Sequence, residues 1–366
     1  MVSTVLTPEL IKRAPKVLLH EHLDGGLRPQ TVLELADEID YVGLPTTDPD
    51  ELARWFISDA PGSDLVRYLE GFAHTTAVMQ TRDQLARVAA ESAIDLARDG
   101  VVYAEVRFAP ELHLQGGLTL QEVVSAVLEG FSLGVKVAKS EGHDITVRAI
   151  LSAMRQASLS ETIAQLAVDF RDQGVCGFDI AGPEDGFPPT KHLRAFHLIQ
   201  REDFHLTIHA GEAFGLPSIW EAVQFCNAER LGHGVRIADD ITEVEGAYRL
   251  GRLANYVRDR RIPLEVCPTS NVHTGAAASL ATHPIELLRK LRFRVTLNTD
   301  NRLMSGITLS REFETCATTF GWNLDDMEWL TLNAAKSTFY EFDQRLAMIN
   351  TVIKPGYAAL RNSEAK

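Results

Sequence analysis

Short apolar runs recur along the chain, separated by stretches with helical character. Eight of them read as strands: 16–22 (KVLLHEH), 101–108 (VVYAEVRF), 146–153, 176–181, 205–210, 229–234, 262–267 and 294–299. Most are continuously apolar rather than alternating, the pattern of a parallel sheet covered on both faces. The intervening segments carry helix start signals. "SLSE" (158–161), "TLQE" (119–122) and "TRDQ" (81–84) each set a hydroxyl residue three positions before Glu or Gln. That is the spacing of a capping box, with Ser158 as the N-cap of its helix. Pro8 in "TPEL" suits a first helical turn. Strand–helix alternation repeated eight times predicts an α/β fold, a closed (β/α)8 TIM barrel rather than an open sheet.

Two features go beyond a minimal barrel. The stretch 23–100 after the first strand has room for several extra helices, and the chain ends in a helical C-terminus. Within 64–80, Leu65, Tyr68, Leu69 and Phe72 fall at i, i+3, i+4 and i+7 on one helical face. Such a stripe is either an ordinary core contact or the underside of a lid, because loops that follow barrel strands form the active-site face. No Gly/Ser linker, internal repeat or low-complexity tract interrupts the chain, so residues 1–366 are expected to form a single domain whose last residues, "RNSEAK", fray.

Composition narrows the function. Hydrophobic residues make up 45% and charged residues 23% of 366, ordinary values for a globular chain. The net charge of -14 disfavours nucleic-acid polymers and anionic membranes as partners, although an uncharged nucleoside is not excluded. Cys176, Cys226, Cys267 and Cys316 are far apart, which fits reduced thiols rather than a cysteine metal site or disulfide scaffold. With no signal-like or membrane-spanning run, a soluble cytoplasmic protein is expected.

The candidate chemistry lies at the strand ends. In "HEHLDGG" (20–26), His20 and His22 share one strand face and can converge on a cation, or they are a surface pair at a strand end. His209 ends the fifth strand in "HAGE", His233 the sixth in "LGHG", and Asp300 follows the eighth in "NTDN". All five fall at the carboxyl end of the predicted barrel, where enzymes of this fold keep their chemistry. Three imidazoles and a carboxylate suit Zn²⁺, which lowers the pKa of bound water towards about 7. Glu212, three residues past His209, either donates a proton to a substrate nitrogen or serves as an ion-pair or capping partner. His74, His143, His192 and His283 read as surface histidines.

Eight motifs, in order, resemble the adenosine deaminase family of the amidohydrolase superfamily: "HEHLDG", "SAMRQ" (152–156), "FDIAG" (178–182), "HAGE", "RLGHG", "CPTSN" (267–271), "LNTDN" and "NAAKS" (333–337). The resemblance runs from about Lys16 to Phe339. It implies that His20, His22, His209 and Asp300 bind one zinc ion, with His22 also near the substrate. His233 would orient the attacking hydroxide and Asp300 would shuttle its proton. Glu212 would protonate purine N1, so that C6 is attacked and ammonia leaves. The Gly182 N–H would face N3, where glycine permits a close approach. Asp24 would bind the ribose 5′-hydroxyl; the adenine-specific branch carries a glutamate here. Leu65, Tyr68, Leu69 and Phe72 match a hydrophobic gate helix.

The chain departs from the family's pattern at two positions. Asn301 replaces the second aspartate of animal-type enzymes; its amide always offers a donor to N7. Pro183 in "AGPED" replaces another aspartate and removes a backbone donor beside Gly182. The cytidine deaminase signature H-x-E…P-C-x-x-C is not matched, because Cys267–Pro268 stands in the reverse order. The resemblance therefore implies zinc-dependent hydrolytic deamination of adenosine and 2′-deoxyadenosine in purine salvage. The alternatives are another 6-aminopurine compound (aminodeoxyfutalosine, adenine or an N6-substituted adenosine) and a non-catalytic relative that binds nucleosides or proteins.

Overall fold

Asp300 is stitched between His20 and His22 by the backbone: the Asp300 N–H donates to the His20 carbonyl at 2.9 Å and the His22 N–H to the Asp300 carbonyl at 2.7 Å. This is the seam of a closed barrel. The computed structural model describes residues 6–57 and 65–364, with side chains described from 71 to 362 in the second stretch. The strands are β1 (Lys16–His22), β2 (Val101–Phe108), β3 (Thr146–Met154), β4 (Val175–Ala181), β5 (Thr207–Ala210), β6 (Arg230–His233), β7 (Ile241–Val244), β8 (Ala247–Leu250), β9 (Leu264–Val266) and β10 (Val295–Leu297). β1-β2-β3-β4 and β10-β9-β6-β5 form two parallel sheets. Parallel bridges at Glu21–Asp300 and Phe178–Leu206 join the sheets at both edges. The eight expected strands are thus all present, shorter at the fifth to eighth places than their apolar runs, and the (β/α)8 barrel is closed.

The insertion after β1 holds helices Pro29–Glu38, Pro49–Phe56, Leu65–Ala77 and Arg82–Arg98. The gate segment is thus helical, but the side chains of Leu65, Tyr68 and Leu69 lie outside the described ones. Phe72 is half-buried against the core. At Gly71 this helix comes close to the Arg302–Ser305 turn that follows Asn301: a β-carbon there would stand 2.9 Å from Met304 Sδ. Helices Leu309–Phe320 and Leu324–Ser337, and the segments through Lys354–Glu364, make the helical C-terminus. One continuous set of buried apolar side chains runs from Leu10 to Leu360.

Thr81 with Gln84 and Thr119 with Glu122 form reciprocal capping boxes, and Thr7 caps the helix that opens at Pro8. Ser158 does not cap. Its helix begins at Ser160, behind Leu159, and the Ser160 hydroxyl is engaged with His192 Nδ1 at 2.9 Å. "RNSEAK" does not fray throughout; helix continues to Glu364, and Arg361 pairs with Asp325 at 2.6 Å. The β7–β8 hairpin is an addition that the apolar runs do not predict, since nearly all its residues are exposed. Its turn residues, Glu245 and Gly246, have φ of 53° and 79°, as a tight two-residue hairpin turn demands.

The barrel interior holds charge rather than the usual branched apolar layers. Glu105, Arg107, Asp179, Arg230 and Glu265 are each at most 1% exposed. Buried charges cost several kcal/mol each unless paired, and these are. Arg107 reaches Asp179 at 3.1 Å and Glu265 at 2.7 Å; Arg230 reaches Glu105 and Glu265, both at 2.6 Å. Three carboxylates thus face two guanidinium groups, which leaves negative charge directed at the histidines above.

Candidate metal centre and active site

His20, His22, His209 and Asp300 each bring one ligand atom within 4.8 Å of the others. All four are buried. His22 Nε2 lies 3.2 Å from His209 Nε2, and Asp300 Oδ1 lies 3.4 Å from His20 Nε2 and 3.3 Å from His22 Nε2. The bland alternative of a surface histidine pair is thereby ruled out.

Outer groups set which ring nitrogens face inward. His20 Nδ1 bonds Glu265 at 2.9 Å, and His209 Nδ1 bonds Asp179 at 3.1 Å. A carboxylate only accepts, so both Nδ1 atoms carry protons, and the Nε2 atoms face the cluster. His20 Nε2 is buried with no hydrogen-bond partner among the described residues. Burial, with the Arg107 charge adding, pushes the His20 imidazole down to about 4, so it stays neutral. Burial is also the main cause that lowers His22. Burial opposes charge on His209 too, but Asp179 outweighs it and raises that imidazole. Asp300 stays ionised despite burial, through the neighbouring His20, His233 and His22 imidazoles. Converging lone pairs beside an ionised carboxylate repel one another unless a cation sits between them, and the donor set fits a divalent metal ion. Arg107 joins the two outer carboxylates, so one guanidinium braces the partners of both His20 and His209. Ser270 holds Asp300 Oδ2 at 2.6 Å.

Beside this cluster, Glu212, His233 and Asp300 form a second group whose ligating atoms are also within 4.8 Å. Glu212 Oε2 is 3.5 Å from His233 Nε2, and its Oε1 accepts from Thr274 at 2.9 Å. The Glu212 side chain is 21% exposed, at the rim. Its loop is fixed by Glu184, whose carboxylate accepts from the N–H groups of Gly211, Glu212, Ala213 and Phe214 at 2.6–3.0 Å. Burial alone would raise Glu184, but Ser218 and these N–H groups outweigh it and lower the carboxyl. His233 and Asp300 both have positive φ, 60° and 64°. For non-glycine residues that is strain of roughly 1–3 kcal/mol, which tends to collect at functional sites.

His283 fixes the state of His233 from a distance. The Ile285 N–H donates to His283 Nδ1 at 3.0 Å, so His283 carries its proton on Nε2 and donates it to Asn271 Oδ1 at 3.3 Å. The other end of that amide, Nδ2, lies 3.0 Å from His233 Nδ1 and donates to it. His233 therefore has its proton on Nε2, towards Glu212. Burial pushes the His283 imidazole down to about 3, so it remains neutral. His283 and His192 are both buried, which corrects their surface reading: His283 is satisfied by Ile285 and Asn271, and His192 by Ser160 and the Arg155 carbonyl.

The remaining candidates surround the same mouth. Asp24 is buried, with Oδ1 3.9 Å from His22 Nδ1 and without a hydrogen-bond partner among the described residues. Burial pushes its carboxyl up to about 7; its own backbone N–H opposes this and the Asp300 charge adds to it. Asn301 is buried against Gly25, where a β-carbon would overlap its Oδ1. Gly182 has φ +101° and is exposed; a β-carbon there would stand 2.6 Å from Gln156 Oε1. Arg107, Asp179, Glu184, Glu265, Asn271 and His283 were not among the expected site residues. A signal existed for some of them: charges inside otherwise apolar strands, as in "AEVRF", "FDI" and "LEV".

A closed parallel barrel thus carries, at the carboxyl end of its strands, a cluster of three imidazoles and a carboxylate suited to a hydrolytic metal centre. A family model described as adenosine deaminase matches residues 15–355. The chain belongs to the adenosine deaminase family. It is 63% identical over 362 residues to adenosine deaminase 1 of Streptomyces coelicolor, covering 99% of this chain and 91% of the relative. It is 58% identical over 355 residues to adenosine deaminase of Mycobacterium tuberculosis, 97% of each chain. Among solved structures, the apo N6-methyl-AMP deaminase from Arabidopsis thaliana aligns with TM-score 0.79 at 25% identity, over 94% of this chain and 97% of that one. An amidohydrolase from Burkholderia ambifaria with bound Zn aligns with TM-score 0.83 at 22% identity, over 98% and 94%, a likeness of fold.

Proposed function

We propose that this protein hydrolyses the 6-amino group of adenosine and 2′-deoxyadenosine, giving inosine or 2′-deoxyinosine and ammonia, with one zinc ion per chain. The reading rests on one observation above all: three imidazoles and Asp300 converge beside Glu212 and His233. Zinc, when bound by His20, His22, His209 and Asp300, makes water acidic enough to ionise near neutral pH. The protein's own groups do the rest. His233 presents its Nε2–H to the attacking oxygen, and Asp300 accepts the proton that oxygen releases. Glu212 delivers a proton to N1, which draws electrons from C6 as the C–O bond forms. Asp300 then passes its proton to the amino group, the proton of the new hydroxyl returns to Glu212, the C–N bond breaks and ammonia leaves.

The same reading gives the substrate-binding roles. Asp24 keeps a buried oxygen without a partner, suited to the ribose 5′-hydroxyl. The N–H of Gly182, an exposed residue, is assigned to N3 and the Asn301 amide to N7. His22 lines the base on its metal side, and the Leu65–Ala77 helix, with Leu65, Tyr68, Leu69 and Phe72, covers the mouth. Residues 1–366 act as one barrel domain. The partner is a small purine nucleoside rather than a nucleic-acid polymer or a membrane; among the described residues no helix is long and apolar enough to cross a membrane. Four buried free cysteines support a reducing, cytoplasmic setting. Comparison of kcat/KM across adenosine, 2′-deoxyadenosine, adenine, N6-methyladenosine and aminodeoxyfutalosine tests the assignment. Adenosine and 2′-deoxyadenosine should lead, and a clear preference for another member would overturn the substrate.

A further inference from the structure

A cavity of about 360 Å³ opens under the barrel floor, lined by the starts of β5, β6, β9 and β10 and by the segment after helix Leu324–Ser337. It is at the opposite end of the barrel from the metal cluster. Besides Arg230, which is paired with Glu105 and Glu265, five cationic side chains line it: Arg260, Arg261, Arg294, Lys336 and Arg345. This concentration of positive charge stands out in a chain whose net charge is -14. The one carboxylate in the lining, Glu229, is engaged with His205 Nδ1 at 2.9 Å and the Leu206 N–H at 3.1 Å. None of the five cations has an ion pair among the described residues.

Two of the guanidinium groups are anchored by neutral carbonyls instead. Arg261 donates to the Arg292 carbonyl at 2.6 Å, and Arg345 to the Thr338 carbonyl at 3.1 Å. Arg294 Nε is enclosed and has no hydrogen-bond partner among the described residues. Burial, and then the charges of Arg261 and Arg345, lower the Arg294 pKa, the mark of like charges held close together. An enclosed donor without a partner is unfavourable, and an oxyanion relieves both that cost and the repulsion. Guanidinium forks suit a tetrahedral oxyanion through paired N–H···O bonds. The volume exceeds what one phosphate fills, and Tyr256, 40% exposed, supplies an aromatic face in the same wall.

We propose that this cavity binds a phosphoryl group, carried by free phosphate or by a nucleotide, at a site separate from the barrel mouth. The proposal does not depend on the deaminase reading. It is tested by calorimetric titration of the full chain with sodium phosphate and with AMP, at constant ionic strength set by chloride. Wild type should bind at least one of the two saturably. Arg294→Gln and Arg345→Gln, on separate elements, should each weaken that binding roughly 10- to 100-fold, while deamination measured without phosphate is unchanged. If one variant fails to fold, the other still decides. Tighter binding of AMP than of phosphate, lost in the variants, assigns a nucleotide; equal binding assigns phosphate alone. Absence of saturable binding by both probes, or unchanged binding in a folded variant, overturns the site.

Discussion

Asn271 donates from Nδ2 to His233 Nδ1 at 3.0 Å, and this contact decides which nitrogen of His233 faces the reaction. The direction is set by a backbone donor, the Ile285 N–H on His283, which cannot be reversed. His233 is thereby a donor through Nε2 and not a base. Asn271→Asp replaces the amide donor by an acceptor and forces the His233 proton onto Nδ1. We expect kcat/KM for adenosine to fall roughly 10²-fold. The ¹⁵N shifts of His233 should show the switched tautomer or a doubly protonated ring. Unchanged kinetics and an unchanged Nε2–H signal would refute this assignment.

Glu212 sits at the rim, 3.5 Å from His233, where it can reach a ring nitrogen of a bound base. Glu212→Gln keeps its size and its contact with Thr274 but cannot transfer a proton. A loss of about 10²–10⁴-fold in kcat, with little change in KM, is the expected result. A non-catalytic binding protein would show no such split.

Arg107 braces Glu265 and Asp179, the partners of His20 and His209. Arg107→Met leaves two buried carboxylates short of their cation. Stability should drop by about 3–5 kcal/mol, and zinc affinity by roughly 10- to 100-fold. Chemical denaturation and competition with a chromogenic chelator measure the two effects separately. Retention of both would remove Arg107 from the account.

Much of the fold was readable because burial on both strand faces leaves continuous apolar runs, and most of β1 to β6, β9 and β10 have one. The β7–β8 hairpin left no such trace, being exposed on both faces. The metal cluster was readable from His20, His22, His209 and Asp300 because imidazole and carboxylate are rare choices at buried strand ends. The network below it was not read, because Arg107, Asp179, Arg230 and Glu265 gain meaning only once the barrel closes and sets them opposite one another. His192 and His283 were misplaced for the same reason: local sequence does not reveal that Ser160 and Asn271 satisfy them.

Glu312 offers a pH-dependent test away from the metal cluster. It is buried, accepts from the Thr269 N–H at 2.7 Å, and burial pushes its carboxyl up to about 7 from 4.5. Below about 4.5 the group is neutral in both folded and unfolded protein, and its favourable contribution is complete. As pH rises through about 7 the folded state must bury a charge, and that contribution is lost. Glu312→Gln should therefore be more stable than wild type at pH 8, by up to about 3 kcal/mol, with the difference shrinking towards pH 5. Melting curves at the two pH values check this; a constant difference would show that Glu312 does not titrate between them.

The claim on which the rest depends is that His20, His22, His209 and Asp300 hold one ion that the reaction requires. The direct measurement strips the protein with a chelator, then titrates Zn²⁺ while following both bound metal and loss of adenosine absorbance. The account predicts no deamination in metal-free protein, full recovery at one zinc per chain, and no tight binding in His209→Ala. Full activity without metal, or unchanged zinc binding in His209→Ala, would contradict it.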